Sequence, residues 1–286
     1  MNENPLISKQ GFEYILSVLD KEYSKRTLDQ LLDSLITDFP HKDYEINLPN
    51  KNKKRHKKIR LLRKQEQING MLNIVDFLNP FNTIIEIASG NGLLASFLAS
   101  KYPSTEIYGI DSNGELIRKL NNNNFSNLFF NKKDAFEYLP KNNPEIVLSL
   151  HSCGNLTDRV IDIAVSASSD IICTPCCYGK LKTTPEKEDY ILPRSKSLSS
   201  YTDFFRKKII KKSKKLEGYV NEGKRNVQNV LLDLYRVLLN FDRLLYLKEK
   251  GYKSYLTRIT GQHITNQDNS RHANSSLRYA IVGLIK

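Results

Sequence analysis

Apolar side chains recur at helical spacing through Phe12, Ile15, Leu16 and Leu19, and again through Leu28, Leu31, Leu32, Leu35 and Ile36. This predicts a small helical piece over residues 12–39, with Thr27 and Gln30 as a capping box. A polar stretch holding Pro40 and Pro49 follows; the helical period then resumes at Ile68, Met71, Leu72, Val75 and Leu78, predicting a helix that stops near Pro80. From residue 83 the pattern changes to short buried runs, TIIEIA at 83, EIYGID at 106, NLFFN at 127, EIVLSL at 145 and DIICTP at 170. The stretches LLASFLASK, ELIRKL and LTDRVIDIAVSA between them have helical character, and this alternation is the signature of a parallel α/β sheet. Past a polar loop at 182–203, a long helical stretch covers roughly 224–250, and YKSYLTRIT and LRYAIVGLI read as a terminal antiparallel pair. The expected architecture is a mostly parallel, seven-stranded α/β sheet with a terminal antiparallel strand. Residues 1–66 would form a helical extension with a basic segment, and 67–286 the main domain.

Composition adds little except in charge. A chain of 286 residues with 40% apolar and 26% charged side chains has an ordinary globular make-up and can bury a full core unaided. Apolar stretches fall far short of the roughly 20 residues a bilayer span needs. The opening Met-Asn-Glu-Asn lacks the basic and apolar regions of a secretory leader. Four cysteines, three of them in Cys173-Thr-Pro-Cys176-Cys177, do not suggest a disulfide framework, so a reducing, cytoplasmic setting is expected. The balance of 44 Lys and Arg against 31 Asp and Glu gives +13, which favours polyanionic partners. The segment Lys51–Lys64 holds nine basic residues and no acid, and Arg206–Lys215 holds seven. Each can follow a phosphate backbone or be a solvated face of a lysine-rich chain; together they favour RNA or DNA.

Candidate chemistry gathers where the strands end. Glu86-Ile-Ala-Ser89-Gly90-Asn-Gly92 turns the first strand into a helix, and two glycines there let backbone approach a ligand at the carboxyl edge of the sheet. Continuing to Ala95 gives G-x-G-x-x-A with Asp111 about 20 residues on, which also fits a dinucleotide fingerprint. Charge favours S-adenosylmethionine over NAD. Glu86 can meet the cationic methionine end of that cofactor, whereas beside a pyrophosphate it would be repulsive. Asp111, with Ser112 in GIDSN, can accept from both ribose hydroxyls, and Asp134, with Ala135 in KKDAF, can accept from the adenine amino group. Three acids after three successive strands fit a Rossmann-like class I methyltransferase. The blander reading makes Glu86 and Asp134 loop or capping acids.

The fourth strand ends in His151-Ser-Cys153-Gly154-Asn-Leu-Thr-Asp158 and the fifth in Pro175-Cys176-Cys177-Tyr178-Gly179. If these strands are neighbours, His151, Cys153, Cys176 and Cys177 converge near a transferable methyl group. As a substrate site, His151 would take a proton from the acceptor. As a metal site the set suits zinc, but it lacks paired ligand spacing, and no metal is assigned. A third reading makes a cysteine the nucleophile that adds to a pyrimidine ring, and the blandest makes the cysteines small buried hydrophobes, as is expected of Cys173.

The pairing of H-S-C-G-N-L-T-D at 151–158 with C-T-P-C-C-Y-G-K at 173–180 resembles the methyltransferase-like domain of glutathione S-transferase C-terminal domain-containing proteins, and more distantly the methyltransferase-like 25 proteins. Arg63-Lys-Gln, Pro193-Arg-Ser, Phe241-Asp-Arg243 and the closing Ala-Ile-Val-Gly-Leu fall in the same order, so the likeness runs over about 60–286. It implies a class I fold and S-adenosylmethionine held at Glu86, Gly90, Gly92 and Asp111. It also implies His151, Cys153, Pro175, Cys176, Cys177 and Tyr178 as signature residues. Ala88 stands where many methyltransferases have glycine, and the first 60 residues do not resemble a glutathione transferase, so no glutathione chemistry is implied. The expected function is an S-adenosylmethionine-dependent methyltransferase acting on RNA. The alternatives are a non-catalytic RNA-binding protein that keeps the fold and, further off, an NAD-dependent oxidoreductase.

Overall fold

The computed structural model describes residues 1–19, 24–46, 55–122, 124–141, 143–175, 178, 181, 190–219, 227–259 and 279–285. Seven strands form one sheet: β1 Thr83–Ile87, β2 Glu106–Asp111, β3 Leu128–Lys132, β4 Ile146–Ser152, β5 Asp170–Pro175, β6 Tyr252–Arg258 and β7 Tyr279–Ile285. Their order is β3-β2-β1-β4-β5-β7-β6. The first five strands pair in parallel, and β7 runs antiparallel to both β5 and β6. The fold is the expected α/β class, mostly parallel with an antiparallel strand inserted near one edge. The order reverses between β1 and β4, and such a switch point opens a crevice at the carboxyl ends of the strands.

Alternation along each strand decides which layer a side chain enters. Ile85, Val147, Ile171 and Ile281 join one core, and their neighbours Ile84, Ile146, Ile172 and Val282 join the other. Five helices lie in the crossovers and flanks: α3 Arg55–Leu78, α4 Leu93–Lys101, α5 Gly114–Leu120, α6 Asn155–Ala167 and α9 Val227–Glu249. The expected crossover helices are therefore α4, α5 and α6. The β3-to-β4 crossover contains no helix among its described residues. That leaves the β2–β3 face open, where Tyr108 and Phe129 stack at 5.2 Å and Phe129 is 41% exposed.

The N-terminal piece is two helices, α1 Lys9–Leu19 and α2 Lys25–Ser34. The Thr27/Gln30 capping box is corrected: Ser24 is the N-cap, and its hydroxyl accepts from the Thr27 amide at 3.2 Å. Phe12, Ile15, Leu28 and Leu32 enter the same core as α6 and α9. Between β5 and α9 the chain passes through a 3₁₀ segment Lys196–Tyr201, α7 Thr202–Phe204, a π-helical segment Phe205–Ile210 and α8 Lys211–Tyr219. The polar loop expected to reach 203 therefore gives way to helix at 196. Among the described residues no helix is long and apolar enough to cross a membrane.

Candidate active site

The β1–α4 loop bends through three left-handed residues, Ala88 at φ +58°, Gly90 at +55° and Gly92 at +66°. Gly92 is required twice over, because a Cβ there would lie 2.6 Å from the Phe130 ring. Gly90 faces open space, with only the Ala88 carbonyl oxygen at 4.0 Å from an added Cβ. Its amide points across the switch-point side of β2 and donates to Asp111 Oδ2 at 2.9 Å, while Asp111 Oδ1 accepts from Asn113 at 2.9 Å. Each carboxylate oxygen keeps acceptor capacity beyond these bonds. Ser89 Oγ is buried in the same loop and has no hydrogen-bond partner. A buried hydroxyl in that state is costly unless a ligand completes it.

Glu86 is 2% exposed and accepts from the Ala95 amide at 3.0 Å. It therefore satisfies one of the free amides in the first turn of α4, as the capping reading expected. Burial pushes its carboxyl up to about 8, opposed by the Ala95 amide and the nearby Lys64 ammonium. Lys64, from α3, donates to Asn91 Oδ1 at 3.1 Å and so sits against the glycine loop. Burial pulls its own pKa down, opposed by Glu86. Sequence reasoning noted this lysine only within the Arg63-Lys-Gln motif and the basic run, and gave it no role at the site.

Asp134 and Ala135 follow β3. The Asp134 carboxylate accepts from Phe136 at 2.9 Å in a local turn. The turn is anchored from α6 by Arg159, which donates to the Ala135 and Tyr138 carbonyls at 2.8 and 2.7 Å. The Lys133 amide donates to the Asp111 carbonyl at 3.0 Å, so this turn lies beside the β2 end. Ser112 is exposed between Asp111 and the Asn113 cap of α5.

On the other side of the switch point, β4 and β5 are neighbours, and their register shifts between Leu150 and Ser152. His151 occupies the irregularity with φ +79°, a strained conformation for a residue with a Cβ. Burial and then the Lys64 charge pull its imidazole down to about 4, so it is neutral at pH 7. Lys64 thus acts electrostatically on both Glu86 and His151 across the switch point. Cys153 is disulfide-bonded, although the cysteine spacing suggested no disulfide framework, and a disulfide sulfur is neither nucleophile nor metal ligand until reduced. Cys176 and Cys177 lie outside the described residues. Cys173 is free and fully buried, with burial pushing its thiol up to about 12. No group of three or more His, Cys, Asp or Glu suited to a metal occurs among the described residues.

The residues that make the chain's motifs so recognisable meet away from the crevice, in a buried clamp. Arg243 of α9 forks onto Asp158 of α6, Nε to Oδ1 at 3.1 Å and Nη2 to Oδ2 at 2.8 Å, and reaches the Gly154 carbonyl at 3.5 Å. Arg194 bonds the Asp158 carbonyl at 3.1 Å, pairs with Asp162 and lies 3.9 Å over the Tyr246 ring. Asp242 accepts the Arg194 and Ser195 amides at 2.7 and 2.8 Å. Asn240 Nδ2 donates to Tyr178 Oη at 2.8 Å, tying the segment after β5 to the same helix. Thr157 closes the β4–α6 turn onto the Ser152 carbonyl at 2.8 Å. The His151–Asp158 segment is therefore held by two arginines from distant parts of the chain, Arg194 and Arg243.

Residues 63–184 match the sequence model of a family described as a methyltransferase domain. With the β3-β2-β1-β4-β5-β7-β6 order, that decides the class. The chain has the class I methyltransferase fold, and its 63–184 segment is similar to that family. Among curated relatives, the glutathione S-transferase C-terminal domain-containing protein homolog of Drosophila melanogaster is 28% identical over 214 residues, 73% of this chain and 36% of that protein. Its Xenopus laevis counterpart is 31% identical over 130 residues, 44% of this chain and 21% of that protein. The chain thus spans about a third or less of the length of the curated relatives it matches. A solved structure of the plantazolicin methyltransferase BpumL with a pentazolic desmethylPZN analogue and SAH aligns over 98% of this chain and 97% of its own, at 14% identity and a TM-score of 0.44.

Proposed function

We propose that this chain is an S-adenosylmethionine-dependent methyltransferase whose acceptor is RNA. The observation that carries the cofactor reading is the convergence on the glycine loop of two acids, one lysine and one buried hydroxyl without a partner. Lys64 would meet the carboxylate of a zwitterionic amino-acid end, and Glu86, protonated near neutral pH in the free protein, would ionise beside its ammonium. Asp111 keeps lone pairs for two ribose hydroxyls, and Ser89 Oγ gains the partner it lacks. Asp134 and Ala135 would border the adenine. The bound cofactor supplies an electrophilic methyl group on a sulfonium.

The chain's own contribution is to hold the acceptor in line beside β4, and positioning of this kind is a large share of what such a site can offer. His151, with its pKa near 4, is a weak base in the free protein. Its proposed role is to accept a hydrogen bond from the acceptor and orient it. An anionic ligand that offsets the Lys64 charge would raise its basicity only in part, because burial is the larger cause of the low value. Net charge of +13 supports RNA as the acceptor class. Of the two basic runs, Lys51–Lys54 lie outside the described residues, and Arg206–Lys215 is helical.

Calorimetric titration with S-adenosylhomocysteine tests the cofactor site. One-to-one binding, weakened about tenfold or more by Asp111→Ala through loss of a charged hydrogen-bond acceptor, is expected. No binding to folded wild type would instead favour an RNA-binding protein without methyl transfer. Incorporation of labelled methyl into fractionated RNA then tests the acceptor.

A further inference from the structure

The second basic run does more than form a solvated face. Phe205, Ile209, Ile210 and Ser213 are buried, while Lys207, Lys208, Lys211, Lys212 and Lys215 are exposed. Lys207, Lys208, Lys211, Lys212 and Lys215 rim a cavity of ≈ 450 Å³, a size typical of ligand sites. Its remaining walls are apolar and come from three helices: Leu16 and Leu19 of α1, Phe204 of α7 and Tyr235 of α9. Among the described residues only Lys207 has an acidic partner, Asp203 at 3.0 Å. Like charges four residues apart along a helix repel, so this arrangement costs stability and gains from an anion.

We infer that this cavity is a docking site for single-stranded RNA, separate from the methyl-transfer crevice, with phosphates on the lysine row and a base against Phe204 and Tyr235. Repeated positive charge along a line suits a polymer with a charge at every unit. The two aromatic walls distinguish the occupant further: bases have flat faces to place against a ring, and acidic peptides generally do not. Lys208 Nζ already lies 5.2 Å from the Phe204 ring centroid, so this ring faces the charged row. The cavity is also on the right side of the molecule. Asn240 of α9 touches Tyr178 just past the carboxyl end of β5, and α9 ends at the amino edge where β6 begins. Tyr235 stands five residues before Asn240, about 7.5 Å further out along the helix axis on the carboxyl side. A strand seated there can extend toward the crevice at the same edge. The inference deepens the RNA reading above but does not require methyl transfer.

The test is fluorescence anisotropy of a labelled single-stranded oligouridylate on the full chain, with S-adenosylhomocysteine titrated in parallel. Lys208→Ser with Lys212→Ser should weaken RNA binding about tenfold and reduce the log–log salt slope by about 1.4, at roughly 0.7 per lost phosphate contact. Phe204→Leu should weaken binding with the slope unchanged, and a matched RNA duplex should bind more weakly than the single strand. S-adenosylhomocysteine affinity should be the same in all variants, which also reports their folding. An unchanged slope in the double variant, unchanged affinity in Phe204→Leu, or displacement of the oligonucleotide by polyglutamate at equal charge overturns the inference. RNA binding with these properties but without S-adenosylhomocysteine binding would defeat the methyltransferase reading and leave this one standing. The reverse result would do the opposite.

Discussion

The two sides of the switch point are built on different principles. The β1–β2 side is local: Glu86, Ser89, Gly90 and Asp111 lie within 26 residues of one another and are linked through two backbone amides. Burial pushes its Glu86 carboxyl up, as it does Asp242 in the clamp opposite. The β4–β5 side is held by a clamp that is non-local, since Arg243 and Asp158 are 85 residues apart. The difference lies in what holds each side: buried arginines spent on carboxylates at β4–β5, and backbone amides bonding carboxylates at β1–β2. The strained His151 conformation persists because the surrounding clamp over-determines it.

The sharpest way to break this comparison is to cut the clamp. Arg243→Met leaves Asp158 buried without its forked partner and should cost about 3–5 kcal/mol in urea denaturation, the usual loss for half of a buried pair. Asp158→Leu combined with Arg243→Met should recover much of that. A single-variant cost below about 1 kcal/mol would mean that the two sides are not differently built. Next in size is a protonation effect on the cofactor side. With a pKa near 8 and an ordinary value of 4.5, Glu86 holds a proton at pH 6.5. A cationic ligand group would draw it off, so S-adenosylhomocysteine binding should release about one proton at that pH and progressively less above pH 8. Calorimetry in buffers of different ionisation enthalpy reads this directly, and Glu86→Gln should abolish it.

His151 sharpens the comparison through pH. Its folded value near 4 lies below the ordinary 6.5, so its contribution to stability is present above 6.5 and is lost as pH falls toward 4. His151→Gln should flatten the urea midpoint across that window, and an unchanged profile would place the imidazole in solvent. The smallest effect concerns Ala88, which occupies a left-handed position in the cofactor loop. Ala88→Gly should stabilise the protein by about 0.5–1 kcal/mol, being the relief of left-handed strain less the entropy glycine adds to the unfolded chain. A loss of thermal stability instead would show that the methyl group packs.

The seven strands, three crossover helices and the long late helix were legible because burial on a pleated sheet and on a helix leaves periods that no distant residue has to supply. The glycine loop and its acids were legible for the same reason: the strand, turn and helix are contiguous. The signature pairs around Cys153 and Arg243 were visible as motifs, but their structural role was not. Gly154, Asp158, Asn240 and Arg243 bond only after α9 has crossed over α6. Lys64 stood in a motif and a basic run that gave it no role at the site, and the true N-cap, Ser24, lay one turn ahead of the box that the helical periodicity suggested.

The sequence alone determined which segments are strands and helices, where the glycine loop lies and that the formal charge is strongly positive, since each follows from local period, glycine placement or summed charge. Only the tertiary structure decided which charges are spent on holding the fold and which are left for ligands. Arg243 and Lys208 are both cations on one chain; one is sealed against a carboxylate and the other stands over an open cavity. The physical reason is that a charge's role depends on its desolvation and its partners, and both are set by residues far away in sequence.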